Sequence, residues 1–364
     1  MELYDLTLRE GDQMPDRSYD ADAKVEAALA LDRLGIAGVQ AGFPATGETD
    51  RETLRRLDGR LDATVTGLAR AVRGDVDAVV DAGADGVDVF TYLSDRQLRH
   101  VVDKSRDEML EATRDAVDYA RDRGVDVQVS LVDSFRTDLA VQTDALERFA
   151  DVPVVNLPDS VGATTPATVA ERLDALDERV DLSRVGVHFH DDLGCAAANT
   201  LVAKEHGVAK ADVAVASLGE RAGNTPLEQV VAGSASDRGD EMGLAVERLI
   251  PVCRDVLSAL GETVDPRTPV LGEEPVTHES GIHTTAMLAE PSAFEPFDPA
   301  DFGGQRRLLF GAKSGRGAAT RLLERAGLAP TDDRVERALE LFASEGPLET
   351  TEAVALLAER VDEK

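Results

Sequence analysis

Residues 3–13 read LYDLTLREGDQ. Leu3 to Leu8 is apolar and β-rich enough for a strand, and the turn after it chooses between two folds. An open doubly wound sheet places a glycine-rich phosphate turn after its first strand. Arg9, Glu10, Gly11, Asp12 and Gln13 stand there instead, four polar residues around one glycine. A first strand that ends in charged side chains suits a closed barrel, whose chemistry sits on the loops that follow its strands.

The rest of the chain repeats the unit. Further strand candidates are GVQAGF from Gly38, ATVTGLA from Ala63, GVDVFTY from Gly86 and VDVQVSL from Val125. VPVVNL from Val152, VGVHFH from Val185 and DVAVASL from Asp212 complete the set. Amphipathic stretches such as ADAKVEAALALDRLG and SRDEMLEATRDAVDYARDRG separate them. Gly35 and Gly124 follow two of these stretches, where a helix C-terminus favours glycine. Strand and helix alternating eight times predict parallel strands with right-handed crossovers. Eight units in about 240 residues match a (β/α)8 TIM barrel, and the predicted catalytic barrel spans residues 1–260.

Residues 261–364 change in texture. GETVDPRTPVLGEEPVTHESGIH and AEPSAFEPFDPADFGGQRR are rich in Pro and Gly, as an extended linker would be. SGRGAATRLLERAG, DDRVERALELFASEG and TTEAVALLAERVDEK predict three helices. The expectation is a small, mainly helical C-terminal subdomain.

Seventy acidic against 39 basic residues leave a net charge of −31, with six lysines and 33 arginines. That field repels nucleic acid and anionic membranes, so neither is expected as a partner. Acid excess with few lysines fits a halophilic protein, in concentrated salt where screening over a few ångströms limits self-repulsion. No apolar run approaches the roughly 20 residues of a membrane span. The N-terminal MELYDLTLREGD is charged and strand-like, unlike a signal peptide. Cys195 and Cys253 make no CxxC pair, which fits a reducing cytoplasm.

Side chains alternate along a strand, so His188 and His190 of VGVHFH point the same way. Two neutral imidazoles side by side are a common way to hold a divalent ion. In a barrel, the first and seventh strands bring Glu10 and both histidines toward the axis. The loop GERAGNTPLE after the eighth strand delivers Asn224. One carboxylate, two imidazoles and an amide oxygen suit an octahedral site for Mn2+, Mg2+, Zn2+ or Co2+, with positions open for substrate. Arg9 beside the ion suits a carbonyl oxygen that gains negative charge during reaction. An open ion can hold a 2-oxo acid through its carboxylate and keto oxygens. Ser130 and Ser160 stand at the ends of the fifth and sixth strands.

DLTLREGDQMP, AGFPA, NLPDSVGATTP, VHFHDDLGCAAANTL, GERAGNTPLEQVV, ESGIHTTAM and KSGRGA occur in this order along nearly the whole chain. With them the sequence resembles the 2-isopropylmalate, homocitrate and citramalate synthases, metal-dependent barrels related to hydroxymethylglutaryl-CoA lyase. The resemblance implies an acyltransferase of amino-acid biosynthesis. It would condense acetyl-CoA, its co-substrate, with a small-molecule 2-oxo acid to a 2-substituted malate and CoA. Glu10, His188, His190 and Asn224 map onto metal ligands, and Arg9 onto the stabiliser of the carbonyl and enolate oxygens. Gln13 and Ser160 match positions lining the 2-oxo acid pocket, Ser160 standing where threonine is usual; Ser130 is expected to bind substrate as well. His283, in SGIH, matches a histidine implicated in proton transfer in the partner subunit's site. That implies a homodimer with crossed-over C-terminal segments. A carbon–carbon lyase or aldolase of the same superfamily is the alternative.

The sequence departs from the family pattern at the pocket. Glu10 replaces the usual aspartate and resembles the homocitrate branch, while AGFPA and GERAGN resemble the isopropylmalate and citramalate branch. Val132 stands where a glutamate assists acyl transfer, Phe294 where a tyrosine is frequent, and Gln97 where a histidine often faces substrate. Asp191 replaces an asparagine and is expected to orient a ligand histidine. No counterpart of the family's separate C-terminal regulatory domain is expected, and activity is therefore expected to be insensitive to leucine. Strong inhibition by leucine added to an activity assay would contradict this.

Overall fold

In the computed structural model, which describes residues 1–362, the strand signals close on themselves. Strands β1 (Glu2–Asp5), β2 (Gly38–Gly42), β3 (Thr64–Arg70) and β4 (Gly86–Tyr92) are followed by β5 (Asp126–Val132), β6 (Val155–Asp159), β7 (Val185–Phe189) and β8 (Lys210–Val213). They pair in sequence order, and β8 pairs back onto β1. The closing register runs from Glu2↔Lys210 to Asp5↔Val213, parallel like every other pairing of the barrel. The predicted (β/α)8 barrel is the observed one. It lies within a unit spanning Met1–Thr263.

Helices between the strands turn their apolar faces onto the barrel. Glu48–Leu57 buries Leu54 and Leu57, Arg73–Val80 buries Val76 and Val79, and Pro166–Asp177 buries Leu173 and Leu176. This is the spacing of one helical face. Gly35 and Gly124 follow their helices with φ of 83° and 80°, a left-handed backbone open to glycine at little cost.

Several strand ends differ from the sequence expectation; β6, expected from Val152, begins at Val155, and the two ends at the closing seam matter most for the site. The apolar run from Leu3 to Leu8 stops being a strand at Asp5. The Asp5 carboxylate accepts from Thr7 N at 2.8 Å and from Thr7 Oγ1 at 3.0 Å, and this local capture starts the helical turn Thr7–Glu10. Arg9 and Glu10 therefore stand on a turn of helix rather than on the strand. At the other seam, β8 starts at Lys210, ahead of the predicted Asp212. The chain leaves it through a tight turn in which Ala216 and Ser217 have φ of 51° and 60°.

The barrel interior is polar. Lys210, 2% exposed, donates to Gln128 Oε1 at 2.9 Å, lies 2.9 Å from Asp212 Oδ1 and sits 4.3 Å from the Tyr4 ring centroid. Glycines make room for the larger inward side chains. A Cβ on Gly38 would overlap the Tyr4 ring, and one on Gly186 the Asn156 carboxamide.

The unit Val264–Lys364 has its own core, in which Leu308, Phe310, Leu322, Leu341, Phe342 and Leu357 are buried together. Its helices include Arg316–Arg325, Asp332–Glu345 and Thr350–Arg360, the three predicted ones. Its three-stranded sheet, of β9 (Thr277–His278), β10 (Arg307–Phe310) and β11 (Leu348–Glu349), was not legible. Strands of two to four residues are too short to show an alternation. The Pro- and Gly-rich stretches are not uniformly extended either, since they contain the short helical turns Glu274–Val276, Pro291–Ala293 and Pro299–Phe302, and the helix Gly281–Met287 starts at the end of the first.

Gly186→Ala is expected to destabilise the barrel by about 1–3 kcal/mol through overpacking, read as an earlier urea midpoint. A midpoint equal to that of the unaltered chain would mean that Asn156 yields without cost.

Candidate active site

Loops after the strands enclose a cavity of about 420 Å³ at the C-terminal end of the barrel, where such folds carry chemistry. One side is built by β7, the turn after β1 and the loop after β8. His188 on β7 and His190, one residue past its end, have ring centroids 5.0 Å apart and planes at 69°. Barrel closure sets Glu10 beside them. One ligand atom from each of the three lies within 4.8 Å of the others, and all three side chains are buried. Such convergence suits a single ion.

Asn224 reaches the same place. Its backbone bridges to His190, and its side chain donates through Nδ2 to Leu218 O at 3.2 Å. Its Oδ1 is buried without a hydrogen-bond partner, as is His190 Nδ1. Buried polar atoms are seldom left unpaired, and an amide oxygen and a ring nitrogen beside a carboxylate fit a divalent cation.

Burial opposes ionisation of Glu10, but Arg9, His188, His190 and the Asn224 amide outweigh it and hold its pKa below the ordinary value. Burial pushes His190 down to about 3, with His188, Arg221 and Arg9 adding to it against Glu10. The imidazole is thus neutral, the form that binds metals. His188 Nδ1 lies 3.3 Å from Asp212 Oδ2, and its Nε2 lies 4.0 Å from Glu10 Oε1. A carboxylate at one ring nitrogen leaves the other for an ion. Burial would raise the Asp212 pKa, yet Lys210 and His188 bring it to about 2.

Arg9 is pinned from several sides. Its Nη1 pairs with Glu10 and reaches Gln13 Oε1 at 3.3 Å, while its Nε donates to Gln40 Oε1 at 2.6 Å. Gln40 donates onward to Asp88 Oδ2 at 2.9 Å, and Ser130 Oγ donates to Asp88 Oδ1 at 2.8 Å. Ser160 Oγ accepts from Asp133 N at 2.9 Å and lines the same cavity.

Residues 1–256 match the HMGL-like family model, and residues 270–346 match one described as homocitrate synthase post-HMGL domain-like. The chain belongs to the HMGL-like family. A Methanopyrus kandleri protein named "Probable 2-isopropylmalate synthase" is 40% identical over 92% of this chain and 67% of the relative. "Homocitrate synthase AksA" of the same organism is 40% identical over 94% of this chain and 87% of the relative. The solved HMG-CoA lyase from Brucella melitensis shares the fold with a TM-score of 0.64 at 22% identity, covering 72% of this chain and 99% of that one.

In this HMGL-like barrel, Arg9, Glu10, Gln13, Ser130, Ser160, His188 and His190 line one cavity, together with Val132 and Gln97. His283 belongs to the second unit, on the helix Gly281–Met287, with its ring stacked on Phe294 at 3.9 Å between centroids. Asp191, expected to orient a histidine, instead engages a helix start. Its Oδ1 accepts from Ala196 N at 2.8 Å and satisfies the start of the helix Ala196–Glu205, and the carboxylate that lies against His188 is that of Asp212. Gln40, Asp88, Asp212 and Arg221 were passed over in the sequence. The signal for the first three was a polar residue inside an apolar strand. Arg221 follows Glu220 in the GERAGN run; it holds Asp192 through bonds of 2.9 and 3.0 Å.

Asp212→Asn keeps the side-chain shape and removes the charge behind His188. It is expected to weaken Mn2+ binding to the HMGL-like barrel roughly 10- to 100-fold in calorimetric titration. An unchanged affinity would remove Asp212 from that role.

Proposed function

We propose that this HMGL-like enzyme condenses acetyl-CoA with a 2-oxo acid, giving a 2-substituted malate and CoA in amino-acid biosynthesis. The observation that carries the reading is the buried Glu10, His188 and His190 cluster with the Arg9 guanidinium paired at its edge. The names of the relatives, 2-isopropylmalate and homocitrate synthases, support it. Glu10, His188, His190 and Asn224 would hold Mn2+, Mg2+, Zn2+ or Co2+ through oxygen and imidazole donors. Such an ion supplies Lewis acidity toward a carbonyl.

Arg9 donates to the keto oxygen as negative charge develops there, and its bonds to Glu10 and Gln40 hold it in place beforehand. Gln13, Ser130 and Ser160 bind and orient the acid. The acetyl methyl loses a proton, its enolate forms the carbon–carbon bond with the keto carbon, and water cleaves the thioester to release CoA. His283 moves a proton in this scheme. Since the family places that histidine in the partner subunit's site, the reading carries a homodimer with crossed-over C-terminal segments. Val132 leaves the end of β5 without a carboxylate at the cavity, the observation that favours a carbon–carbon lyase as second reading.

Two free cysteines and a net charge of −31 support a cytoplasmic, salt-adapted protein without nucleic-acid or membrane partners. Among the described residues no helix is long and apolar enough to cross a membrane.

CoA thiol release at high potassium chloride, with Mn2+, acetyl-CoA and pyruvate, 2-oxoisovalerate or 2-oxoglutarate, is expected for one of the acids. His188→Ala should reduce it by more than the roughly 10- to 100-fold that a supporting residue commands. Release that survives this substitution, or no release from folded, metal-loaded protein, would overturn the reading.

A further inference from the structure

The cavity has two unlike sides. Around the axis from Glu10, His188 and His190, strands β3, β4 and β5 present Leu68, Phe90, Tyr92 and Val132, with Phe43 beside them. The aromatic rings interlock edge to face, Phe43 with Phe90 at 6.0 Å and 81°, and Phe90 with Tyr92 at 6.0 Å and 88°. Charge is divided as unevenly. Among the described residues lining the cavity, the arginines are Arg9 and Arg221. Glu10 and Gln40 occupy the first, and Asp192 holds the second through two bonds. Asp88, Asp212 and Glu220 add acids to the same lining.

We propose that the acid accepted here is a 2-oxo monocarboxylic acid with an apolar side chain, and that 2-oxo dicarboxylic acids are disfavoured. The inference rests on the synthase reading for which end of the acid lies at the metal ligands. That end carries the carboxylate and keto oxygens toward Glu10, His188, His190 and Arg9. The side chain then extends over Leu68, Phe90 and Val132, where alkyl groups gain by leaving water. A second carboxylate there would lose its hydration with no unpaired cation to replace it. It would also meet the field of the acids around it. The Tyr92 hydroxyl and the Gln97 amide are neutral, so neither offsets a charge.

Calorimetric titration of the full chain in Mn2+, with pyruvate, 2-oxobutanoate, 2-oxoisovalerate and 2-oxoglutarate, tests this beside CoA release with each acid. At least one apolar acid is expected to bind roughly tenfold or more tighter than 2-oxoglutarate, and Val132→Arg should narrow or reverse that ratio. Equal or tighter binding of 2-oxoglutarate by the unaltered chain overturns the inference, while CoA release with it would leave the synthase reading standing. Tighter binding of apolar acids without CoA release would do the opposite. Binding of none of them overturns both. Thermal unfolding checks that Val132→Arg is folded; if it is not, the ranking in the unaltered chain alone decides.

Discussion

Between Glu2–Asp5 and Lys210–Val213 run the hydrogen bonds that turn eight strands into a closed barrel. The same pairing assembles the site. Asp5 ends β1 by capturing Thr7, and the turn that follows swings Arg9 and Glu10 over the mouth. There the Glu10 carboxylate meets His188 and His190, delivered by a strand from the far end of the barrel sequence. A one-residue slip in a strand exchanges its inward and outward side chains, so the register at this seam and along β7 decides whether the three groups face one another.

Closure also forces charge into a region of low dielectric, where unpaired charge is costly. The interior answers with linked pairs. Lys210 bridges Gln128 and Asp212, and Asp212 lies against His188. Arg9, Gln40, Asp88 and Ser130 form a second chain across the barrel. Each network ties a residue of the cavity to groups deeper in the barrel, which limits the freedom of its side chain before any ligand arrives.

Outside the barrel the balance is different. Arginine–carboxylate pairs such as Arg114 with Asp151 and Arg334 with Asp362 stand at the surface. Exposed pairs contribute about 0–1 kcal/mol each and fade in salt. In a chain with net charge −31, concentrated salt weakens both these pairs and the mutual repulsion of the acids. Stability then falls to buried apolar surface, the helix faces around the barrel and the separate core around Phe310 and Phe342.

The sequence determined the eight-unit alternation, because the 2.0 and 3.6 residue periods of strand and helix are local properties of the chain. It also singled out Glu10, His188 and His190, since two inward histidines on one strand and a charged first turn are visible without coordinates. It did not reveal Asp212 behind His188, or Gln40 and Asp88 behind Arg9, beyond their being polar residues in apolar strands. Nor did it place Asp191, whose side chain turned to a helix start rather than to an imidazole. Those roles depend on which inward positions of neighbouring strands share a level, and only the closed barrel fixes that register. The apolar wall of Leu68, Phe90 and Val132 across the cavity from Glu10, His188 and His190 is a tertiary fact for the same reason, because residues distant in sequence become facing sides of one cavity only when the strands close around an axis.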